Sequence, residues 1–332
     1  MRRGRAPAAW PAALSLRGRD FIWGSRTFVV GILNVTPDSF SGDGLAGRAD
    51  PITAAVEQAL RMAAEGADIL DIGGESTRPG HAEVEAEEEA RRVLPVLRAV
   101  RAALPLMPLS IDTRKVAVAE AALAAGADLL NDVSAASGDG AMARLAGDRG
   151  VAIVLMHDRT LAATDPAPMT SVVADLAATV DRARRSGCEE GQLLLDPGIG
   201  FGKTAGQNLA ILRDLSALGG LGLPLLLGTS RKSTIGRVLG LPPEQRLEGT
   251  LATTALGIAA GIDLVRVHDV AANLRVARMA DAIVRGWRDQ EPGTPREPEP
   301  GIEHEPELGM EHAPELGIEP QPDRSREAWP GG

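Results

Sequence analysis

The residue types best suited to chemistry are few in this chain, and they cluster. Arginine outnumbers lysine by 32 to 3. Lysine therefore survives only at Lys115, Lys203 and Lys232, each just after a short apolar run. A compact ammonium on a flexible stem is not replaced by a guanidinium where one contact must fit closely. Of these three, Lys115 reads as the start of a surface helix. Asparagine occurs four times, and Asn34 and Asn131 also end apolar runs. Asp112 and Asp196 do the same, where an unpaired carboxylate would be costly. Near the end of the pattern Arg231, Lys232, Arg266 and His268 gather positive charge, and the i, i+2 spacing of the last two puts them on one face of a strand.

Two chemistries follow. The cations suit a phosphate-bearing ligand. The carboxylates need either a metal or strong hydrogen-bond donors. No histidine pair has ligand spacing, and only Asn34, Asp38 and a phosphate of the ligand suit Mg²⁺. The other possibility is a ligand with a guanidine-like N–H edge, such as a pterin or guanine ring, which a carboxylate accepts in bidentate fashion. His157 reads equally well as core packing or as support for the site.

Such residues must be positioned by a regular frame. Short apolar runs at 28–33, 68–72, 107–111, 128–131, 151–155, 192–196, 223–228 and 263–267 alternate with amphipathic stretches. The latter lie at 51–65, 86–103, 115–125, 139–149, 171–187, 207–218, 245–260 and 271–286. Continuous apolar strands mean burial on both faces of a parallel sheet. Eight β–α units predict an α/β fold, a (β/α)8 TIM barrel whose chemistry sits at the C-terminal strand ends. An open doubly wound sheet is the alternative, but the first strand runs into Asn34-Val35-Thr36-Pro37 rather than a glycine fingerprint. The glycines of 198–203 match neither a phosphate loop nor a dinucleotide fingerprint. A hairpin at Phe21–Phe28 is expected to cross the barrel bottom.

Charge and composition bound the rest. Residues 289–332 carry 12 acidic and 3 basic side chains, whereas 1–288 carry 33 and 32. The folded part therefore lacks the basic excess that nucleic-acid binding needs, and eight aromatic residues give little to stack bases on. The 1–19 stretch, rich in Arg, Ala and Pro, and the period-eight Pro/Glu repeat of 289–332 read as disordered tails around a domain of 20–288. No apolar run is long enough to span a membrane. A lone cysteine, Cys188, suits a reducing, cytoplasmic setting.

Eight motifs in order, over residues 20–287, resemble the dihydropteroate synthase family: NVTPDSFS (34–41), DIGGESTRPG (71–80), SIDT (110–113), Asn131-Asp132-Val133, Leu155-Met156-His157, DPGIGFGK (196–203), SRKSTIG (230–236) and RVHDV (266–270). The resemblance implies condensation of 6-hydroxymethyl-7,8-dihydropterin diphosphate with 4-aminobenzoate, releasing pyrophosphate. It implies that Asp112, Asn131, Asp196 and Lys232 hold the pterin, with Met156 at its side. Asn34, Arg266 and His268 would hold the diphosphate with Mg²⁺, for which Asn34 is the metal ligand. Ser76, Thr77, Arg78, Phe201 and Ser233 would border the aminobenzoate, with Asp38 in the first of two closing loops. A homodimer is also implied. The first loop reads FSGDG and the segment after His157 reads DRTLAATDPAPM, both unlike the family's usual wording. A pterin-binding methyltransferase and a non-catalytic pterin-binding paralogue are the alternatives, and neither has need of the full anion-binding set.

Overall fold

The computed structural model describes residues 13–35, 50–75, 84–135 and 138–287 of the 332. It opens with a hairpin, β1 (Ala13–Leu16) and β2 (Arg19–Ile22), paired antiparallel with Leu16 opposite Arg19. Arg17 and Gly18 make the two-residue turn, both at positive φ (53° and 75°), as a turn matching the twist of the strands requires. The hairpin thus precedes the expected Phe21–Phe28 position, and the stretch read as a tail over 1–19 is strand from residue 13. An apolar-polar alternation over only four residues, ALSL, is too short to announce itself.

Eight parallel strands follow. They are β3 (Phe28–Asn34), β4 (Ile69–Gly73), β5 (Leu109–Asp112), β6 (Leu129–Asp132), β7 (Ala152–Met156), β8 (Leu193–Asp196), β9 (Leu226–Gly228) and β10 (Leu264–Val267). Their order is β8-β7-β6-β5-β4-β3-β10-β9, and a parallel bridge from Leu195 to Leu225 joins the two ends into a ring. Helices α1 (Pro51–Ala64), α2 (Ala86–Ala103), α3 (Val116–Ala124), α4 (Ala141–Arg149), α5 (Pro168–Arg185), α6 (Ala205–Arg213), α7 (Ser233–Leu239), α8 (Leu247–Ala259) and α9 (Val270–Val284) surround it. This is the expected (β/α)8 barrel.

Alternation along each strand divides the apolar residues into two cores. Outward residues such as Leu70, Ile72, Leu109, Ile111, Leu130 and Leu195 pack under the helices. Inward residues such as Val30, Ile69, Leu129, Val154, Leu194, Leu226 and Leu264 fill the lumen, and Leu16, Phe21, Trp23 and Phe28 join that inner cluster. The hairpin therefore plugs the barrel bottom. Phe21 and Phe28 lie 4.8 Å apart between ring centroids, and Trp23 meets Phe28 edge-on at 5.8 Å.

Two differences from the expected elements bear on the site. The stretch read as a helix over 207–218 ends at Arg213 and continues as 3₁₀ turns over Leu215–Leu221. Helix α7 went unpredicted, because seven residues with Gly236 in the middle give a weak periodic signal. That glycine has a packing reason: a Cβ there would lie 2.2 Å from a guanidinium nitrogen of Arg246.

Candidate active site at the barrel mouth

Inward positions change character toward the C-terminal strand ends. On β4 the inward residues are Ile69, then Asp71. On β5 they are Ser110 and Asp112, and on β6 Leu129 and Asn131. Opposite them, Arg266 on β10 extends its guanidinium across the lumen. Its Nε donates to Asp71 Oδ2 at 2.5 Å and its Nη2 to Asp112 Oδ2 at 2.7 Å. Asn131 Nδ2 donates to the same Asp71 oxygen at 3.0 Å. The other oxygen of each aspartate and the Ser110 hydroxyl are buried with no hydrogen-bond partner among the described residues. Each such buried, unmade bond costs about 1–3 kcal/mol. Three together at two successive levels, with Asp71 and Ser110 beneath Asp112, mark the top of the lumen as built for more than packing.

The loop after β8 forms one wall. Asp196 accepts Gly198 N–H at 2.6 Å. Gly198 (φ 67°) is needed because a Cβ would lie 1.9 Å from the His157 carbonyl oxygen. Lys203 ties the loop down, donating from Nζ to the carbonyls of His157, Gly198 and Phe201 at 2.9–3.0 Å. Lys232, the residue before α7, donates to the Ile199 carbonyl and stands 4.3 Å from the centre of the Phe201 ring. Ser233 opens α7 exposed, beside an open groove of about 450 Å³ that Gly200, Lys203 and Arg237 also line.

Burial sets the electrostatics of this wall. It pushes Asp112 up to about 7 although Arg266 opposes the shift. It raises Asp196 against the pull of Lys232. Burial together with Arg266 lowers Lys232 to about 8, with Asp196 and Asp112 working the other way. Burial also works against charge on Arg266, but Asp71 and Asp112 outweigh it and hold this guanidinium above the usual arginine range. Asp112 and Lys232 thus stand close to neutrality, and Asp196 is shifted in the same direction as Asp112, as expected where charge is to be used rather than merely balanced.

On the last strand, the His268 N–H donates to Ser230 Oγ at 3.2 Å, and the same oxygen lies 2.9 Å from His268 Nδ1. The Ser230 hydroxyl thus fixes the plane of the His268 ring beside the backbone. Asn34 ends β3 half-buried, and Met156 ends β7 buried. The mouth therefore brings together Asn34, Asp112, Asn131, Met156, Asp196, Phe201, Lys232, Ser233, Arg266 and His268. Asp38, Ser76, Thr77 and Arg78 lie outside the described residues.

Three readings from the sequence change. Arg231, counted among the anion-binding cations, is held by Asp269 through two bonds of 3.0 and 2.5 Å, while Arg246 donates to its carbonyl. It sits at a positive φ of 56° in the turn between β9 and α7. Lys115 does precede α3 but is no surface residue: its Nζ bridges Glu75 at 2.6 Å and the fully buried Glu89 at 2.5 Å. His157 is buried support, bonded through Nε2 to Asp175 at 3.0 Å. Asp71 was missed. Its one signal was a second aspartate inside DILDI, in phase with the inward face. Among the described residues no group of three acidic, histidine or cysteine side chains could cage a metal.

Comparison with known proteins gives the family of the chain. Residues 30–268 match the model of a family described as "Pterin binding enzyme". The dihydropteroate synthase of Clostridium beijerinckii is 46% identical over 273 residues, covering 82% of this chain and all of that one. The Xanthomonas albilineans dihydropteroate synthase solved with 4-aminobenzoic acid superposes with a TM-score of 0.76 at 44% identity, covering 82% of this chain and 98% of that one. The same enzyme in complex with 7,8-dihydropteroate gives 0.73 at 42%, with the same shares covered. This chain belongs to the dihydropteroate synthase family of pterin-binding enzymes.

Proposed function

We propose that the barrel mouth condenses 6-hydroxymethyl-7,8-dihydropterin diphosphate with 4-aminobenzoate, giving 7,8-dihydropteroate and pyrophosphate in folate synthesis. The observation that carries this is the pair of buried carboxylates Asp112, with an unpartnered oxygen, and Asp196, set among the half-buried cations Arg266 and Lys232. Solved relatives holding 4-aminobenzoic acid and 7,8-dihydropteroate supply the two halves of the chemistry.

In this reading Asp112, Asn131 and Asp196 accept from the N–H edge of the pterin, and Lys232 donates to its far side. Met156 packs on the ring. Arg266 and His268 receive the diphosphate, and Phe201 and Ser233 border the aminobenzoate. Ser76, Thr77, Arg78 and Asp38 are assigned to the same region by the family motif alone. The amine nitrogen attacks the pterin methylene carbon, the bond from that carbon to the diphosphate oxygen breaks, and the anilinium proton is lost to solvent. An aniline is nucleophilic at neutral pH, so no strong general base is required. The barrier lies in departure of the diphosphate, where the Arg266 charge and the His268 ring stabilise the developing negative charge.

Mg²⁺ fits here as a passenger of the diphosphate. Asn34 offers one neutral oxygen at a strand end, which suits an ion whose other ligands are phosphate oxygens and water. When bound, the ion neutralises charge on the leaving group. A homodimer is supported by two exposed apolar residues one turn apart on α9, Met279 and Ile283, 63% and 69% exposed. A cytoplasmic setting is supported by the single cysteine, buried as a thiol.

The deciding experiment is pyrophosphate release from the pterin diphosphate. Release that requires 4-aminobenzoate supports the synthase. Release without it, or none, sinks it and reopens the methyltransferase and binding-paralogue readings.

A further inference from the structure

The hydrogen-bond pattern below the mouth singles out a residue that the proposed reaction does not use. Asp71 lies level with Ser110 and one residue pair deeper in the barrel than Asp112, which pairs in register with Gly73 and Asn131. It is 1% exposed, so it is beyond reach of a ligand occupying the mouth. Yet one of its oxygens receives both Arg266 Nε (2.5 Å) and Asn131 Nδ2 (3.0 Å). It therefore grips one residue assigned to the diphosphate and one assigned to the pterin.

Each bond decides something. A carboxylate neutralising a guanidinium only accepts, so it dictates which end of the Asn131 amide faces down, leaving Oδ1 pointing elsewhere. For Arg266, Nε anchors the guanidinium close to its hinge, while Nη2 holds Asp112. Nη1 has no partner among the described residues. When a pterin takes the Asp112 carboxylate, Nη2 is released, but the Nε–Asp71 bond need not break. Arginine can then turn toward an anion without leaving the lumen. The remaining Asp71 oxygen is buried without a partner, so the residue contributes little by way of extra bonding to the fold at this point.

From this geometry we infer that Asp71 is a positioning residue: a pivot that fixes the orientation of the Asn131 amide for the pterin ring and tethers Arg266 for the diphosphate. The inference rests on the pterin reading above. It predicts two separable defects. Asp71→Asn, nearly isosteric, loses the charge that holds both groups.

The test measures, by calorimetry, affinity for 6-hydroxymethylpterin with and without its diphosphate. Asp71→Asn should bind the bare pterin about tenfold more weakly, through Asn131. The additional affinity contributed by the diphosphate should also fall about tenfold, through Arg266. The KM for 4-aminobenzoate should stay within about twofold. A general loosening of the barrel would not spare that KM. In an Arg266→Gln background the diphosphate increment should fall no further when Asp71→Asn is added, because coupled residues are non-additive. Wild-type affinities for Asp71→Asn, or losses that multiply in the double variant, would overturn the pivot. If Asp71→Asn alone does not fold, the Asp71→Asn/Arg266→Gln pair, two amides able to bond each other, is compared with Arg266→Gln. An equal diphosphate increment supports the inference, and failure of the pair to fold overturns it by making Asp71 structural. Failure of the wild-type chain to release pyrophosphate would instead strike the proposed function.

Discussion

The two ends of the same strands hold the same residue types and treat them differently. At the barrel bottom Asp68, Asp128 and Asp263 each stand just before a strand and each accept an N–H at the start of a neighbouring strand: Val29, Leu109 and Leu225, at 2.8–3.1 Å. Arginines complete two of them, Arg26 on Asp68, and Arg17 with Arg101 on Asp128. At the mouth Asp71 and Asp112 are left with an unpartnered oxygen each. The bottom is also where the aromatic plug packs, although the Trp23 ring nitrogen finds no partner there. A carboxylate whose bonds are all made inside the chain belongs to the fold. At the mouth, one left short of donors belongs to the site, Asp112 within reach of a ligand and Asp71 beneath it. Counting acids would not have separated them.

That contrast can be broken most sharply from below. Phe21→Ala removes a buried ring from the plug and should cost about 3–5 kcal/mol of stability. KM values should hold while the fold survives, and chemical denaturation with parallel kinetics checks both. An altered pterin KM would mean that the two ends are not independent.

From above, Arg266→Ala should lower kcat/KM by about 10²–10³, equivalent to roughly 2–4 kcal/mol of transition-state stabilisation. Because Arg266 also neutralises Asp71 and Asp112, the bare pterin should bind differently as well, which a purely anion-binding arginine would not cause. Unchanged binding of the bare pterin would show that those two aspartates do not sense their partner.

Asp128→Asn sharpens the comparison at the bottom. It weakens charge-assisted bonds to Arg17 and Arg101 and should cost about 1–3 kcal/mol of stability with catalysis intact. A loss of turnover without loss of Tm would contradict the assignment.

The smallest effect is with pH. Binding of the bare pterin needs Asp112 ionised and Lys232 protonated, and these sit near about 7 and about 8. Affinity should therefore rise as pH climbs through about 7, because Asp112 gains its charge. It should decline above about 8, because Lys232 loses its own. Each limb steepens to no more than about tenfold per pH unit, the slope of one proton. Calorimetry across pH 6–9 reads both limbs, and Lys232→Met should abolish the alkaline one.

Much of this was legible in the chain itself. Strand and helix alternation is a local property, and eight buried apolar runs each followed by an amphipathic stretch leave little choice but a barrel. The end of an apolar run is local too, which is why Asp112, Asn131 and Asp196 were assigned to the mouth, and parity along a strand put Arg266 and His268 on one face, before any partner was known. What those groups touch is not local. Arg266 meets Asp71 across 195 positions of sequence, and Arg231 is drawn to Asp269 across 38. Parity assigns a face to a side chain but not its neighbour around the ring, and neighbours decide whether a charge is consumed or kept. Residue type and spacing thus determined the fold, the end of the barrel that carries chemistry and most of its residues. Only tertiary packing decided that Arg231 is held by Asp269, that Lys115 lies in a half-buried ion cluster, and that Asp71 stands beneath the site, because each depends on contacts between elements separated in the chain.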